Sequence, residues 1–130
     1  MIQILNRYNG AVILEVPGDS LIGANLRGCD LSWSDLSGCD LSGCNLSGCN
    51  LSGCNLRGCD LRCSNLSWSD LRGSDLRGCD LSRCNLSWCN LSGCNLRGTI
   101  LDPSAVIPPI SDKDLDGFKI VGNRVYGWRT

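Results

Sequence analysis

The sequence predicts an all-β solenoid in which short extended segments alternate with corners, and three observations support this class. Leucine recurs every five residues from Leu26 to Leu96, and Leu21 and Leu101 extend the register at both ends. A small residue stands two places before each leucine from Leu26 onward to Leu96, so the two side chains point the same way, as on a strand. Each unit continues with Ser or Arg and usually ends with Gly, which favours a bend before the pattern restarts.

The number of units in one turn follows from the residue before each leucine, which is always Asp or Asn in residues 24–98. These residues match in 2 of 12 pairs three units apart, in 5 of 11 pairs four units apart and in 7 of 7 pairs eight units apart. Forty residues make two turns of four units but no whole number of three-unit turns. We therefore expect coils of twenty residues that stack at a strand spacing of about 4.8 Å and bury leucines that no single unit could bury alone.

Read from Ala24, the units ANLRG, CDLSW, SDLSG, CDLSG and CNLSG resemble those of the pentapeptide-repeat proteins, whose pattern is A(D/N)Lxx. The resemblance covers residues 24–98 in full and residues 19–103 loosely. It implies a right-handed quadrilateral β-helix, here of about four coils. The chain departs from the family at the inward small residue, which is usually Ala in the family and mostly Cys here.

The chain is predicted to form one domain with a cap at each end of the repeats. Residues 1–18 favour a β-hairpin, because strand-forming runs at Ile2–Asn6 and Ala11–Val16 flank the turn signal Asn9-Gly10. Such a hairpin would cover the first coil, whose open edge would otherwise invite association. The β-helix is expected over residues 19–103.

The C-terminal segment, residues 104–130, is predicted to form a Pro-rich connector and a second β-hairpin that turns at Gly122-Asn123. This hairpin would bring apolar side chains within reach of the last coil. The side chains concerned are Phe118, Val121, Val125, Tyr126 and Trp128.

Composition excludes several classes of function. Twelve basic and thirteen acidic residues nearly cancel, which argues against strong nucleic-acid binding and against an acidic mimic of DNA. No apolar run is long enough to span a bilayer, so we expect no membrane insertion. The N-terminus has no basic segment and cleavage site of a signal peptide, so we expect a cytoplasmic protein.

The eleven cysteines predict buried, reduced thiols. Ten of them occupy the inward small position, where Cys acts as a small hydrophobe. Stacked at about 4.8 Å, their side chains would lie farther apart than a disulfide prefers. Cys63 differs, because it occupies a corner and should point outward, which makes it the candidate reactive thiol.

No catalytic residue and no cofactor is expected. The chain contains no histidine, which removes the commonest general base and metal ligand, and its serines have no base partner. A soft metal such as Cu(I) or Zn is the alternative for an unbroken internal thiol ladder, although buried thiols stay protonated and no CxxC pair is present. This ladder comprises Cys39, Cys59 and Cys79.

Exposed ladders supply the candidate contact surface. Tryptophans at corner positions can dock a partner or a sugar, or else shield the backbone at the corner. An arginine stripe can attract phosphates or pair with neighbouring carboxylates. Asn ladders are expected to gain stacked amide hydrogen bonds between coils. The candidate partner surface comprises Trp33, Trp68, Trp88, Arg57, Arg77 and Arg97.

The first hypothesis is a non-catalytic structural or interaction module, a short rigid rod that presents side-chain ladders to an unknown protein partner. One alternative is soft-metal or redox binding through the thiol ladder. Another is end-to-end assembly into fibres through the coil ends, as opposed to a monomer. The resemblance also implies protection of DNA gyrase by imitation of duplex DNA, which the near-neutral charge disfavours.

Overall fold

The computed structural model describes residues 1–101, 118–121 and 124–127. Strands β1 (Ile2–Asn6) and β2 (Val12–Val16) form an antiparallel hairpin, and the short strand β3 (Ser34–Asp35) pairs antiparallel with β1 on its other side. Strands β4 (Phe118–Val121) and β5 (Arg124–Gly127) form a separate antiparallel pair. Residues 21–101 form stacked coils.

Each coil of the repeat region contains twenty residues. Twelve parallel bridges, from Asn25↔Asn45 to Asp80↔Ile100, all join residues that are twenty positions apart. The backbone supports this register on both sides of a bridge, because Asn45 N–H donates to Ala24 C=O at 2.9 Å and Leu26 N–H donates to Asn45 C=O at 2.8 Å. Four five-residue units therefore close one turn, which confirms the four-sided coil predicted from the Asp/Asn pattern.

A β-turn forms each corner between two sides. The N–H of the next small residue donates to the leucine carbonyl three positions earlier, as from Cys44 to Leu41 at 3.1 Å. The residue just before this small residue has φ between 59° and 73° at all sixteen corners from residue 23 to residue 98. A positive φ at the third residue only is the requirement of a type II turn, which Gly meets at the lowest cost.

The core is a column of leucines with small polar or thiol side chains beside it. The sixteen leucines from Leu21 to Leu96 are at most 5% exposed. Cys54 Sγ donates to Leu31 C=O of the preceding coil at 2.8 Å, whereas Ser64 Oγ donates to Leu61 C=O, three residues earlier in the chain, at 2.7 Å. Both side-chain types thus satisfy a buried donor with a leucine carbonyl, which explains why Ser replaces Cys at some inward positions.

The N-terminal hairpin covers the open end of the first coil. Ile4 is 1% exposed and belongs to the same apolar cluster as the leucines, and Ile2, Leu14 and Val16 pack against it. Arg7 N–H also donates to Trp33 C=O at 2.8 Å, which continues the pairing of β1 with β3. The apolar side chains of the hairpin thereby keep the leucines of the first coil out of water.

The loop of this hairpin is longer than the two-residue turn predicted at Asn9-Gly10. Asn6 and Ala11 close the loop with a hydrogen bond of 2.7 Å, and Gly10 N–H donates to Asn6 C=O at 3.0 Å. The turn begins early because Asn6 Oδ1 accepts the N–H of Tyr8 at 2.8 Å, as in an Asx turn. Gly10, with φ of 71°, ends the loop.

In the second hairpin, Val121 pairs with Arg124, so residues 122–123 separate the two strands. The predicted turn at these two residues, the Pro-rich connector and Trp128 lie outside the described residues. The predicted contact of this hairpin with the last coil concerns side chains outside the described set as well. The division into residues 1–18, 19–103 and 104–130 remains our proposal.

Burial raises the pKa of the inward thiols of Cys84, Cys89 and Cys94, and this predicts a loss of stability at alkaline pH. The pKa rises to about 11 for Cys84 and Cys94 and to about 12 for Cys89. The ordinary value is 9.0, so the unfolded chain loses these protons first, and the free energy of unfolding should fall as the pH rises from about 9 towards 11. Denaturant unfolding of the reduced protein at several pH values measures this.

The matched variants are C84S/C94S, which replaces two buried thiols with the residue already present at neighbouring inward positions, and C63S, which replaces an exposed thiol. The first should flatten the alkaline loss and the second should leave it unchanged. Identical pH profiles for wild type and C84S/C94S would contradict the assignment.

Candidate interaction surface

Four corner lines run along the stack, one at each edge of the four-sided coil. Each line contains the corner residues that are twenty positions apart. The first line is Gly23, Gly43, Cys63 and Arg83; the second is Gly28, Gly48, Trp68 and Trp88; the third is Trp33, Gly53, Gly73 and Gly93; and the fourth is Gly38, Gly58, Gly78 and Gly98.

Five corners carry a side chain in a left-handed conformation that ordinarily favours Gly. Left-handed backbone costs a residue with a Cβ roughly 1–2 kcal/mol. Four of the five lie on the adjacent first and second corner lines, in the two upper coils, where "upper" means nearer the C-terminal end. Such strain clusters at functional sites, so this pair of corners is the candidate site. The five residues are Trp33, Cys63, Trp68, Arg83 and Trp88.

Trp68 and Trp88 stack on the second corner line, as their spacing predicts. Their ring centroids are 5.4 Å apart and the ring planes differ by 14°. The two residues are 68% and 62% exposed. The corner below them is bare, because open space surrounds the position that a Cβ of Gly48 would occupy. Trp68 and Trp88 therefore project from the second corner line, one coil above a corner that carries no side chain.

Trp33 occupies a different environment from the other two tryptophans. It is 48% exposed, and its indole lies against Gly53, where an added Cβ would meet ring atoms at 2.5 Å. Tyr8 contacts it from the hairpin, with centroids 6.0 Å apart, and Arg7 Nη1 donates to Gly53 C=O at 2.8 Å. Trp33 thus joins the N-terminal cap to the first two coils and lies apart from the stacked pair.

Cys63 is the exposed cysteine, and it lines a cleft of about 500 Å³ along the first corner line. Arg62 at this cleft binds Asp60, with Nη2 to Oδ2 at 2.7 Å, and lies 3.9 Å from Asp80. The Arg62 guanidinium holds the pKa of the Asp60 carboxyl below its usual range. The full lining of the cleft is Ile22, Gly23, Ser42, Gly43, Arg62, Cys63, Ser82 and Arg83.

The internal thiol ladder is inaccessible over most of its length. Cys39 is partly buried, and Cys59 and Cys79 are at most 1% exposed. A hydrogen bond with Cys79, together with burial, raises the pKa of the Cys59 thiol far above its ordinary value. Within the described residues, no group of three or more Cys, Asp or Glu side chains is arranged to hold a metal ion. All eleven cysteines, which lie within residues 1–101, are unpaired thiols.

The arginine stripe lies beside the fourth corner line, diagonally opposite the stacked tryptophans. Arg77 binds Asp75, with Nη2 to Oδ2 at 2.6 Å, and this bond lowers the pKa of the Asp75 carboxyl. Arg57 and Arg97 instead follow Asn residues in their own units. An open trough of about 580 Å³ borders Arg57 and Arg77. The six residues of the predicted partner surface therefore fall on three separate corners.

The Asp and Asn side chains serve local turns. Asn65 Oδ1 accepts the N–H of Ser67 at 3.0 Å, and Asp30 Oδ1 accepts the N–H of Ser32 at 3.1 Å. The hydrogen bonds predicted between stacked Asn side-chain amides are not formed in residues 1–101. Each Asn Oδ1 instead accepts the backbone N–H of the residue two positions later, as in Asn45 and Asn85. The Asx-turn preference of Asn and Asp was the signal that could have revealed this arrangement.

No helix among the described residues has the length and apolar character needed to cross a membrane.

Comparison with known proteins identifies a family and similar solved structures. The family described as pentapeptide repeats matches in eight copies, over residues 20–43, 39–78 and 79–102. A pentapeptide repeat protein from Nostoc Pcc 7120 is 37% identical, with a TM-score of 0.54 over 72% of this chain and 77% of that one. The repeat region is accordingly a right-handed quadrilateral β-helix, the fold of those structures. No curated protein matches the sequence.

Two further solved structures are similar over 72% of this chain. A pentapeptide repeat protein from the thylakoid lumen of Arabidopsis thaliana is 28% identical, with a TM-score of 0.45 and 61% of its length covered. HetL, a pentapeptide repeat protein involved in heterocyst differentiation regulation in Nostoc sp. strain PCC 7120, is 31% identical, with a TM-score of 0.39 and 54% of its length covered. The chain thus spans less than two thirds of these two relatives.

Exposure predicts that Cys63 reacts with a thiol reagent before the other cysteines do. The buried thiols are shielded, and burial raises the pKa of Cys49, for example, to about 11, so little thiolate forms there near neutral pH. Labelling of the folded protein with a chromogenic disulfide reagent should show one rapid phase per chain. C63S should remove that phase, whereas C49S should retain it; a rapid phase that survives C63S would contradict the assignment.

Proposed function

The chain belongs to the pentapeptide repeat family, and on that premise we propose that it is a non-catalytic interaction module that presents corner side chains to a partner. One observation carries the proposal: Cys63, Arg83, Trp68 and Trp88 all adopt left-handed backbone on two adjacent corner lines, although Gly occupies most other corners. The partner proposed from the sequence is a protein. The rod would serve as a rigid support for this surface.

The energetics of the stacked tryptophans support a role outside folding. Strain at Trp68 and Trp88 costs about 2–4 kcal/mol for the two together. Their stacking offsets about 0.5–1.5 kcal/mol, and burial of the covered third of each indole offsets a similar amount. The fold therefore gains little from Trp over Gly at these corners, and binding is the remaining reason to place two exposed indoles there.

The absence of catalysis is proposed on chemical grounds. The chain contains no histidine, and several carboxylates are committed to arginine or serine partners, as Asp70 is to Arg72 at 2.6 Å and Asp35 is to Ser37 at 2.7 Å. These contacts lower the pKa of both carboxyls. A general acid needs the opposite shift, a pKa raised towards neutrality.

The other functions weighed from the sequence receive less support. A gyrase-directed imitation of DNA would need an excess of acidic side chains, whereas the repeats carry seven Arg and seven Asp. Soft-metal or redox binding would need accessible thiolates, which burial opposes. Fibre assembly through the N-terminal end would have to displace the hairpin that covers the first coil. We also propose a reducing compartment such as the cytoplasm, because the cysteines are unpaired.

The test of the interaction module is the variant W68G/W88G, which restores the commonest corner residue at both positions. Its free energy of unfolding should stay within about 1 kcal/mol of the wild-type value or rise, because relief of strain offsets the lost ring contacts. Its binding of the partner should be lost. Partners retained by immobilised wild-type protein are identified by mass spectrometry, and affinities are then measured with the purified partner.

The control is R57S/R97S on the opposite corner, which should bind as wild type does. Equal binding by W68G/W88G and wild type would overturn the proposed site. A fall in unfolding free energy of more than about 2 kcal/mol in W68G/W88G would instead assign the indoles a structural role.

A further inference from the structure

We propose that the stacked tryptophans and the side of the rod next to them bind an uncharged carbohydrate. This side, which we call the Asn face, lies between the first and second corner lines and carries Asn25, Asn45, Asn65 and Asn85. The inference rests on the proposed function and names the chemistry that the interaction module recognises.

The Asn face differs in charge from the other three sides. In the three coils that contain Asn45, Asn65 and Asn85, this side carries neither a carboxylate nor a guanidinium between the corner lines. Each unit there reads Asn-Leu-Ser. Every other side contains at least two aspartates in its ladder. Those aspartates are Asp30 and Asp70 on one side, Asp35 and Asp75 on the next, and Asp40, Asp60 and Asp80 on the last. Between the corner lines, these coils hold no charge to pair with an ionised ligand, which favours a neutral one, although Arg83 lies on the bordering first corner line.

Hydrogen-bond donors point outward from the Asn face. Asn45 Oδ1 accepts the N–H of Ser47 at 3.1 Å, and Asn85 Oδ1 accepts the N–H of Ser87 at 3.0 Å. With each oxygen held towards the backbone, the Nδ2 group of the same side chain faces solvent, and within residues 1–101 these Nδ2 groups donate no hydrogen bond to protein. Asn45, Asn65 and Asn85 are partly exposed, and Asn25 is exposed, so their amide groups are available to a ligand.

Acceptors lie beside these donors. Ser47 Oγ donates to Asn45 Oδ1 at 2.6 Å, and Ser87 Oγ donates to Asn85 Oδ1. Because the hydroxyl hydrogens of Ser47 and Ser87 are used inward, the lone pairs of these two hydroxyls remain for a ligand. A donor next to an acceptor matches neighbouring hydroxyl groups of a sugar ring, each of which both donates and accepts.

The indoles supply the apolar contact that a sugar ring also needs. Trp68 adjoins the Asn face three residues after Asn65 and is 68% exposed. No atom lies within 4 Å of the position that a Cβ of Gly48 would occupy, so the corner below Trp68 leaves the approach to its indole open. Tryptophan combines such an apolar surface with a polar Nε1–H at its edge.

The same geometry disfavours an extended peptide as the ligand. Strand addition needs unpaired backbone groups, but those of the Asn face already bind adjacent coils, as Asn65 N–H does to Cys44 C=O at 2.9 Å. A polyproline segment would leave the serine lone pairs without donors, since proline has no N–H. Sugar hydroxyls satisfy both kinds of group.

The carbohydrate could be a free polysaccharide or a glycan attached to a protein partner, and two probes distinguish these sources. One is a set of uncharged hexasaccharides: cellohexaose, maltohexaose, laminarihexaose and chitohexaose. The other is a glycoprotein with neutral high-mannose glycans, before and after enzymatic removal of the glycans. The readout is the NMR shift of the Trp68 and Trp88 indole N–H groups and the Asn65 and Asn85 amide groups.

Wild-type protein should show saturable shifts with at least one probe, with a Kd in the millimolar range or below. W68G should weaken binding at least tenfold. N65D/N85D, which retains the local Oδ1 acceptor and adds two carboxylates, should do the same, whereas N55D on another side should bind as wild type does. Saturation by a hexasaccharide assigns a free glycan; a response limited to the intact glycoprotein assigns an attached one.

Two outcomes would overturn the carbohydrate assignment: no saturable shift with any probe up to about 10 mM, or equal binding by wild type, W68G and N65D/N85D. The capture of partners on immobilised wild-type protein separates failure of the carbohydrate assignment from failure of the interaction module. A captured protein that depends on Trp68 and Trp88 but carries no glycan would leave the module standing and overturn only the carbohydrate. Absence of both responses would overturn the two proposals together.

Discussion

The fold depends on one backbone requirement, a left-handed residue at every fifth position. That residue, with φ between 59° and 73° from residue 23 to residue 98, turns the chain after each short extended segment. Four such turns close a coil of twenty residues, so each segment meets the corresponding segment of the next coil in parallel register. The leucines then stack inside, and the coils share one core that no coil could form alone.

This requirement separates the interior from the surface. The inward small positions of residues 24–98 hold only Ala, Cys or Ser, and many of the Cys and Ser side chains donate to a leucine carbonyl, as those of Cys54 and Ser64 do. Five corners carry a Trp, Cys or Arg side chain despite the backbone strain. The sides between the corners hold Asp or Asn, whose side chains support the turns. Chemistry that varies from coil to coil is therefore confined to the corners and the adjoining sides, where Trp68 and Trp88 lie.

The coil was predictable from the sequence because its cause is periodic. The leucine period and the forty-residue repeat of Asp and Asn fix twenty residues per turn, and the stacking of Trp68 on Trp88 follows from their spacing. The cap was less predictable, since Asn6 begins the loop early through its own side chain. The contact of Trp33 with Tyr8 depends on tertiary packing that no local pattern encodes. The orientation of the Asn amides likewise follows from the geometry of the local turns. The prediction of hydrogen bonds between stacked Asn side chains did not take these turns into account.

The register of twenty residues is tested most directly by the electronic coupling of Trp68 and Trp88. These residues meet only if one turn contains twenty residues, and indoles 5.4 Å apart and nearly parallel should couple strongly. Because parallel stacked transition dipoles reduce absorption, we predict that the strong far-ultraviolet indole band of the wild type is weaker than the sum of independent tryptophans. Difference absorption spectra should show this deficit lost equally in W68G and W88G and retained in W33F. A wild-type indole absorbance equal to the sum of independent tryptophan contributions would contradict the four-sided coil.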